Sequence, residues 1–309
     1  MEDMIKKLKE VGAKRVFVQF PEGIKLRIQE IVKTLEKHGF EVVLCVEECF
    51  GACDIRDFEA RRVGCDTILH IGHEDFGVES TLPVVFWEYF IETDPIPTLE
   101  KNLEKLKNYE KIGLVTSIQF IKLLPKIKTF LEAKGKRVFM HKALQYEGQI
   151  LGCDLRAAME IEKEVDCFLC VTAGRFYGLG LVLKTEKPVL ALDLEKGTIE
   201  DLEEERKKMR RIIEWNKAQF EEAKRIGILV SWKAGQVKNV FEVKKMLEKM
   251  GKEVYILAMD RIDPEKLEGL RLDFLINTAC PRIGRDDISR FKIPLVNLED
   301  LRFIRDSGK

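Results

Sequence analysis

Apolar residues in this chain fall into short continuous runs, separated by charged segments with helical spacing. Three β-branched runs, Lys14–Phe20, Lys111–Ser117 and Arg225–Ser231, each follow a charged helical stretch and precede a loop and a further helical pattern. A second set occurs at Phe40–Val46, Lys136–Lys142 and Lys252–Ala258. Each member is introduced by a glycine in the position of a helix C-cap: Gly39, Gly135 and Gly251. A third set opens with aspartate (Asp66–Gly72, Asp166–Val171, Asp273–Asn277), and a fourth with proline (Pro83–Trp87, Pro188–Asp193, Pro294–Leu298). Runs without polar alternation predict strands buried on both faces, as in a parallel sheet covered by helices. Four strands alternating with helices, three times over, predict an α/β fold of three repeated small domains. Each has a four-stranded, mainly parallel sheet, and the three surround a pseudo-threefold central site. The boundaries fall at 1–100, 101–204 and 205–309. The joints are residues 92–110, with two prolines before a charged helix, and residues 195–224. In the second joint, Thr198–Asp201 reads as a capping box ahead of a long, solvated inter-domain helix.

Charge narrows the partners. The 309 residues hold 53 Lys+Arg and 53 Asp+Glu, a net charge of zero, which argues against a large basic nucleic-acid surface. The opening MEDMIKKLKE reads as a charged amphipathic helix without a signal-peptide core. No run approaches the roughly 18 apolar residues of a membrane span. These features predict a soluble, cytoplasmic protein with no membrane partner, in which thiols stay reduced. The eight cysteines are then core fillers, metal ligands or nucleophiles.

Position sorts them, because ligands gather at the carboxyl ends of parallel strands. Cys45 lies in a second strand, Cys65 leads into a third, and Cys167 and Cys170 lie inside a third strand, so these four read as core. On a strand, residues i and i+3 point to opposite faces, so Cys167-x-x-Cys170 cannot share a metal. Cys45-x3-Cys49-x3-Cys53 is one residue too long for the three-cysteine loop of ordinary radical S-adenosylmethionine enzymes, and it begins in a strand. Cys49 has no assignment. Cys53, Cys153 and Cys280 remain, one per repeat, in loops past strand ends. Three converging thiolates suit a zinc ion with His70 or His73 as fourth ligand, or a [4Fe–4S] cluster with one open iron. A central site built from three domains favours the cluster. Asp54 and Asp154 are expected to cap the helices that follow them, Asp286–Asp287 to start a helix, and His70 to be a core histidine.

Pro21–Gly23, Gly51–Asp54, Gly148–Cys153, Gly174–Phe176, Ser231–Gln236 and Asn277–Arg282 together carry a resemblance. Over nearly its whole length the chain resembles the archaeal diphthamide biosynthesis family, the 2-(3-amino-3-carboxypropyl)histidine synthases. The resemblance implies a homodimer, with Cys53, Cys153 and Cys280 ligating a [4Fe–4S] cluster reduced by an electron donor. It also implies cleavage of the Cγ–S bond of S-adenosylmethionine and transfer of its 3-amino-3-carboxypropyl group to a histidine of translation elongation factor 2. The carboxylate of S-adenosylmethionine needs cations or polar groups near strand ends. Lys233, Arg175 and Arg285 are candidates, with Gln236, Gln19 and His73 as polar partners. No catalytic acid or base is assigned. The rival readings are a quinolinate-synthase-like [4Fe–4S] dehydratase and a zinc-stabilised small-molecule binding module.

Overall fold

The computed structural model describes residues 1–236 and 240–301. Its first sheet contains β1 (Arg15–Gln19), β2 (Glu41–Leu44), β3 (Thr67–Ile71) and β4 (Val84–Trp87), all parallel, in the order β2-β1-β3-β4. The second contains β5 (Lys111–Thr116), β6 (Arg137–Phe139), β7 (Cys167–Thr172), β8 (Val189–Asp193) and β9 (Thr198–Asp201), in the order β6-β5-β7-β8-β9. The third contains β10 (Arg225–Ser231), β11 (Glu253–Met259), β12 (Phe274–Asn277) and β13 (Leu295–Asn297), in the order β11-β10-β12-β13. All three therefore share one strand order, which reverses direction between the first and third strands of each repeat. Such a switch point opens a crevice at the carboxyl ends of those two strands.

Repeated sequence features produce this order by repeated contacts. The aspartate that opens each third strand is a clamp. Asp66 accepts hydrogen bonds from the backbone N–H groups of Lys14 and Arg15, Asp166 from Glu110 and Lys111, and Asp273 from Lys224 and Arg225. Each carboxylate thus satisfies the otherwise unpaired donors at the start of the first strand and fixes its register with the third. The introducing glycines have φ of 89° (Gly39), 80° (Gly135) and 79° (Gly251), and the N–H of each closes the preceding helix on a carbonyl three residues back.

Three expectations change. The Thr198–Asp201 segment is not a capping box. It is β9, an antiparallel edge strand on β8, so the second sheet has five strands. The helix after it (Glu203–Gln219) is not solvated all round. It buries Arg206, Met209, Ile213 and Asn216, and the Asn216 side chain donates to the Leu295 carbonyl. Charge on one face hid this apolar stripe. Central strands β3, β7 and β12 are buried throughout, but the edge strands β2 and β11 are half-exposed, as edges facing solvent must be.

The chain forms two compact units, Met1–Phe90 with Trp232–Val237, and Ile91–Ser231 with Lys238–Lys309. In the first, apolar clusters around Val16, Val18 and Leu69 on one face and Phe17, Ile68 and Cys65 on the other sandwich the sheet. The second contains the other two sheets.

Candidate functional site

In the first unit, β2 feeds a loop that carries Cys49, Cys53 and Asp54 before the helix Asp57–Arg62. The segment after β10 returns to this loop. Gly235 donates its N–H to the Cys53 carbonyl at 2.8 Å, and Gln236 Nε2 lies 3.4 Å from Cys53 Sγ. A Cβ on Gly235 would sit 2.6 Å from that of Cys53, so only glycine allows this approach. Lys233 Nζ meets Asp54 Oδ2 at 2.5 Å with both side chains almost fully buried, and Arg56 Nε lies 3.6 Å from Asp54 Oδ1. Asp54 is therefore no helix cap; its carboxylate is consumed by a buried ion pair. Gln19, at the end of β1, donates to the Asp54 carbonyl and accepts from the Arg56 N–H, which pins the loop to the switch point. Burial pushes the Cys53 thiol pKa up, against the pull of the Gln236 hydrogen bond and the Lys233 charge.

Beside this loop, His70 Nε2 lies 3.0 Å from His73 Nδ1 and 3.6 Å from Cys49 Sγ. His70 is in β3, and Gly72 (φ 88°) turns the chain directly after that strand. Burial lowers His70 to about 3, with neighbouring His73 adding to the effect, and lowers His73 to about 4. Both rings are neutral near pH 7. Burial, reinforced by the Asp54 charge, raises the Cys49 thiol to about 12. His70 is buried as expected, but it shares that position with two further ligand-type side chains.

In the second unit, Cys153 is exposed in a turn where the Leu151 N–H bonds the Asp154 carbonyl. Asp154 accepts from the backbone N–H of Arg156, at the start of the next short helix, and holds its guanidinium at 2.6 Å. Cys280 follows β12, where the Asn277 side chain spans the turn by donating to the Cys280 carbonyl and accepting from the Ala279 N–H. Arg282 joins the two loops. Its guanidinium stacks 4.0 Å over the Phe176 ring, donates to the Phe176 carbonyl and lies against Gly152 and Gly180. Sequence reasoning passed over Arg282, although it ends the Asn277–Arg282 motif. Arg282 also pairs with Asp286 (2.5 Å), so of the expected helix-starting pair only Asp287 takes the N-cap position of the next helical turn. The next turn, Ile288–Arg290, has no side-chain cap.

The remaining cations are committed elsewhere. Arg175 bonds Glu200 and Glu205, and Arg285 bonds Glu299 with Asp300 3.6 Å away. Lys233, Gln236 and Gln19 do gather at Cys53. Exposure separates the four core thiols from the three loop thiols and adds the unassigned Cys49 to the buried group. Cys45, Cys49, Cys65, Cys167 and Cys170 are buried, whereas Cys53, Cys153 and Cys280 are not. Cys53, Cys153 and Cys280 thus lie in loops at the carboxyl ends of strands, one for each sheet, and thiolates are the usual donors of iron–sulfur clusters.

Comparison with known proteins gives one answer. Residues 20–306 match the family model described as putative diphthamide synthesis protein. The 2-(3-amino-3-carboxypropyl)histidine synthase of Pyrococcus horikoshii is 32% identical over 98% of this chain and 89% of its own length. The Methanocaldococcus jannaschii enzyme is 30% identical over 96% and 86%. The crystal structure of Dph2 from Pyrococcus horikoshii with a 4Fe–4S cluster superposes with a TM-score of 0.89 at 30% identity, covering 100% of this chain and 90% of that one.

Proposed function

The chain belongs to the diphthamide synthesis protein family, and on that premise we propose that it is a 2-(3-amino-3-carboxypropyl)histidine synthase acting on translation elongation factor 2. Cys53, Cys153 and Cys280 are its [4Fe–4S] ligands. The observation that carries this reading is their accessibility, exposed for Cys153 and partial for Cys53 and Cys280, in contrast to the five buried thiols. The bound cluster supplies one electron for breaking the Cγ–S bond of S-adenosylmethionine, which yields methylthioadenosine and the 3-amino-3-carboxypropyl group for transfer.

The chain's own residues orient and shelter that chemistry. Gly235 and Gln236 hold the Cys53 loop, so the thiolate is presented in one geometry. Lys233 neutralises Asp54 and keeps a second negative charge from opposing a thiolate-bound centre. Gln236, beside Cys53, offers a polar edge suited to the substrate's amino acid group. Gln19 acts through the loop, since both ends of its amide are bonded to backbone. Arg175 and Arg285 are held in ion pairs, so the reading does not depend on them. A cytoplasmic homodimer served by an electron donor completes the proposal. Among the described residues no helix is long and apolar enough to cross a membrane.

Anaerobic incubation of the cluster-loaded protein with S-adenosylmethionine, dithionite and the elongation factor tests it. Methylthioadenosine and a histidine heavier by the aminocarboxypropyl group are expected. Neither product from a fully loaded, reduced sample would overturn the reading.

A further inference from the structure

Cys49, His70 and His73 have no part in the function proposed above, yet their ligand atoms all lie within 4.8 Å of one another. A tetrahedral zinc site has Zn–S near 2.3 Å and Zn–N near 2.0–2.1 Å, which sets S···N edges of about 3.6 Å and N···N edges of about 3.3 Å. The Cys49 Sγ to His70 Nε2 distance is 3.6 Å, and His70 Nε2 to His73 Nδ1 is 3.0 Å. Two edges of a ligand triangle are therefore nearly in place. The third, between Cys49 and His73, is no longer than 4.8 Å and needs at most about 1.2 Å of closure, within reach of a small side-chain rotation.

Hydrogen bonding alone accounts for this arrangement poorly. A neutral imidazole nitrogen offers one proton or one lone pair, so His70 Nε2 can serve His73 or Cys49 well, but not both. One cation at the common point would satisfy all three atoms.

We propose that Cys49, His70 and His73 form a second metal site, separate from the three cluster cysteines, for a divalent ion of the zinc class. Two imidazoles and one thiolate are the borderline-soft donor set that this class prefers, and three protein ligands leave the fourth position to water. Binding displaces the Cys49 proton to solvent and changes no oxidation state. The turn at Gly72 makes the site possible, because it brings His73 back beside His70. Since Cys49 is on the Cys53 loop, the ion would tie that loop to the end of β3. His70 Nδ1 has no hydrogen-bond partner among the described residues, so the site lacks the outer contact that usually strengthens a ligating histidine. Binding should therefore be reversible by chelators.

The test uses the full chain with Cys53, Cys153 and Cys280 all replaced by Ser, which removes the proposed cluster ligands and keeps this inference independent of them. After chelator treatment the protein is titrated with Co²⁺ anaerobically. One equivalent, with an intense sulfur-to-cobalt charge-transfer band and tetrahedral visible bands, is expected. Adding Cys49→Ser should abolish the charge-transfer band. Adding His73→Gln instead should abolish the tetrahedral bands, with circular dichroism confirming the fold of each variant. A folded parent that binds no cobalt, or cobalt spectra indifferent to both changes, overturns the proposal. Cluster assembly in the wild-type chain is scored separately, so either idea can fail without the other.

Discussion

Two pairs of ligand-type residues sit at i and i+3, within or at the end of the third strand of their repeats. Cys167 and Cys170 lie wholly within β7. Regular pleating sends them to opposite faces, and Cys170 is packed with Val115, Leu181 and Ala191 in a cluster that does not include Cys167. His70 and His73 straddle the end of β3, and one left-handed glycine between them returns the second ring to the first. The spacing is the same and the backbone is not. A ligand motif therefore carries information only together with the conformation of the residues between its members.

The contrast can be broken in steps. The largest expected effect is on the β3 side, where the loop opposite the histidines depends on charge compensation that β7 does not need. Lys233→Met removes the closer of the two buried cations beside Asp54 and leaves Arg56 3.6 Å away, and should cost about 3–5 kcal/mol in urea unfolding. A cost below 1 kcal/mol would show that the pair is dispensable. Gly72→Val comes next. A branched side chain there is strained at φ 88°, and its Cβ would meet Pro21 at 3.0 Å. We expect a loss of about 2–3 kcal/mol and weakened cobalt binding; unchanged binding would mean that the turn does not set the pair.

On the β7 side, Cys170→Ser should cost about 1–3 kcal/mol by burying an unpaired hydroxyl, and Cys167→Ala about 1 kcal/mol, both without effect on metal or cluster content. Loss of iron in either variant would contradict the geometric argument. The smallest effects belong to what the two strands share. Asp66→Asn or Asp166→Asn retains one acceptor oxygen and removes the charge, so each should cost less than about 1 kcal/mol at pH 7. Asp66, Asp166 and Asp273 all have lowered pKa values, Asp273 to about 2, where Arg225 and its N–H are the main partners. A carboxylate lowered in the folded state contributes stability above its unfolded value of about 3.9, and that contribution fades as pH falls towards 2. The triple Asn variant should therefore flatten the acid limb of stability between about pH 4 and pH 2. A limb as steep as wild type would assign acid unfolding to other groups.

Much of this was legible in the sequence because the repeats report the same physics three times. Uninterrupted apolar runs gave the buried strands, and the aspartates and glycines marked their beginnings. The placement of Cys53, Cys153 and Cys280 in loops past strand ends was read directly from the order of the runs. Local signals misled where tertiary contacts decide. Thr198–Asp201 has a capping pattern, yet pairing with β8 makes it a strand. Asp54 looked like a cap because its partner, Lys233, is 179 residues away. Arg282 was invisible for the same reason: its neighbours Gly152, Phe176 and Gly180 belong to another repeat.

The return of Trp232–Val237 to the first compact unit also bears on how the protein is made. A ribosome adding about 5–20 residues per second needs roughly 10–40 s to travel from Asp54 to Lys233. Throughout that interval the nascent loop has Arg56 but not Lys233 beside Asp54, so the closer half of this buried ion pair forms only after most of the chain has emerged. Vectorial synthesis thereby delays completion of this part of the protein until the third repeat has begun.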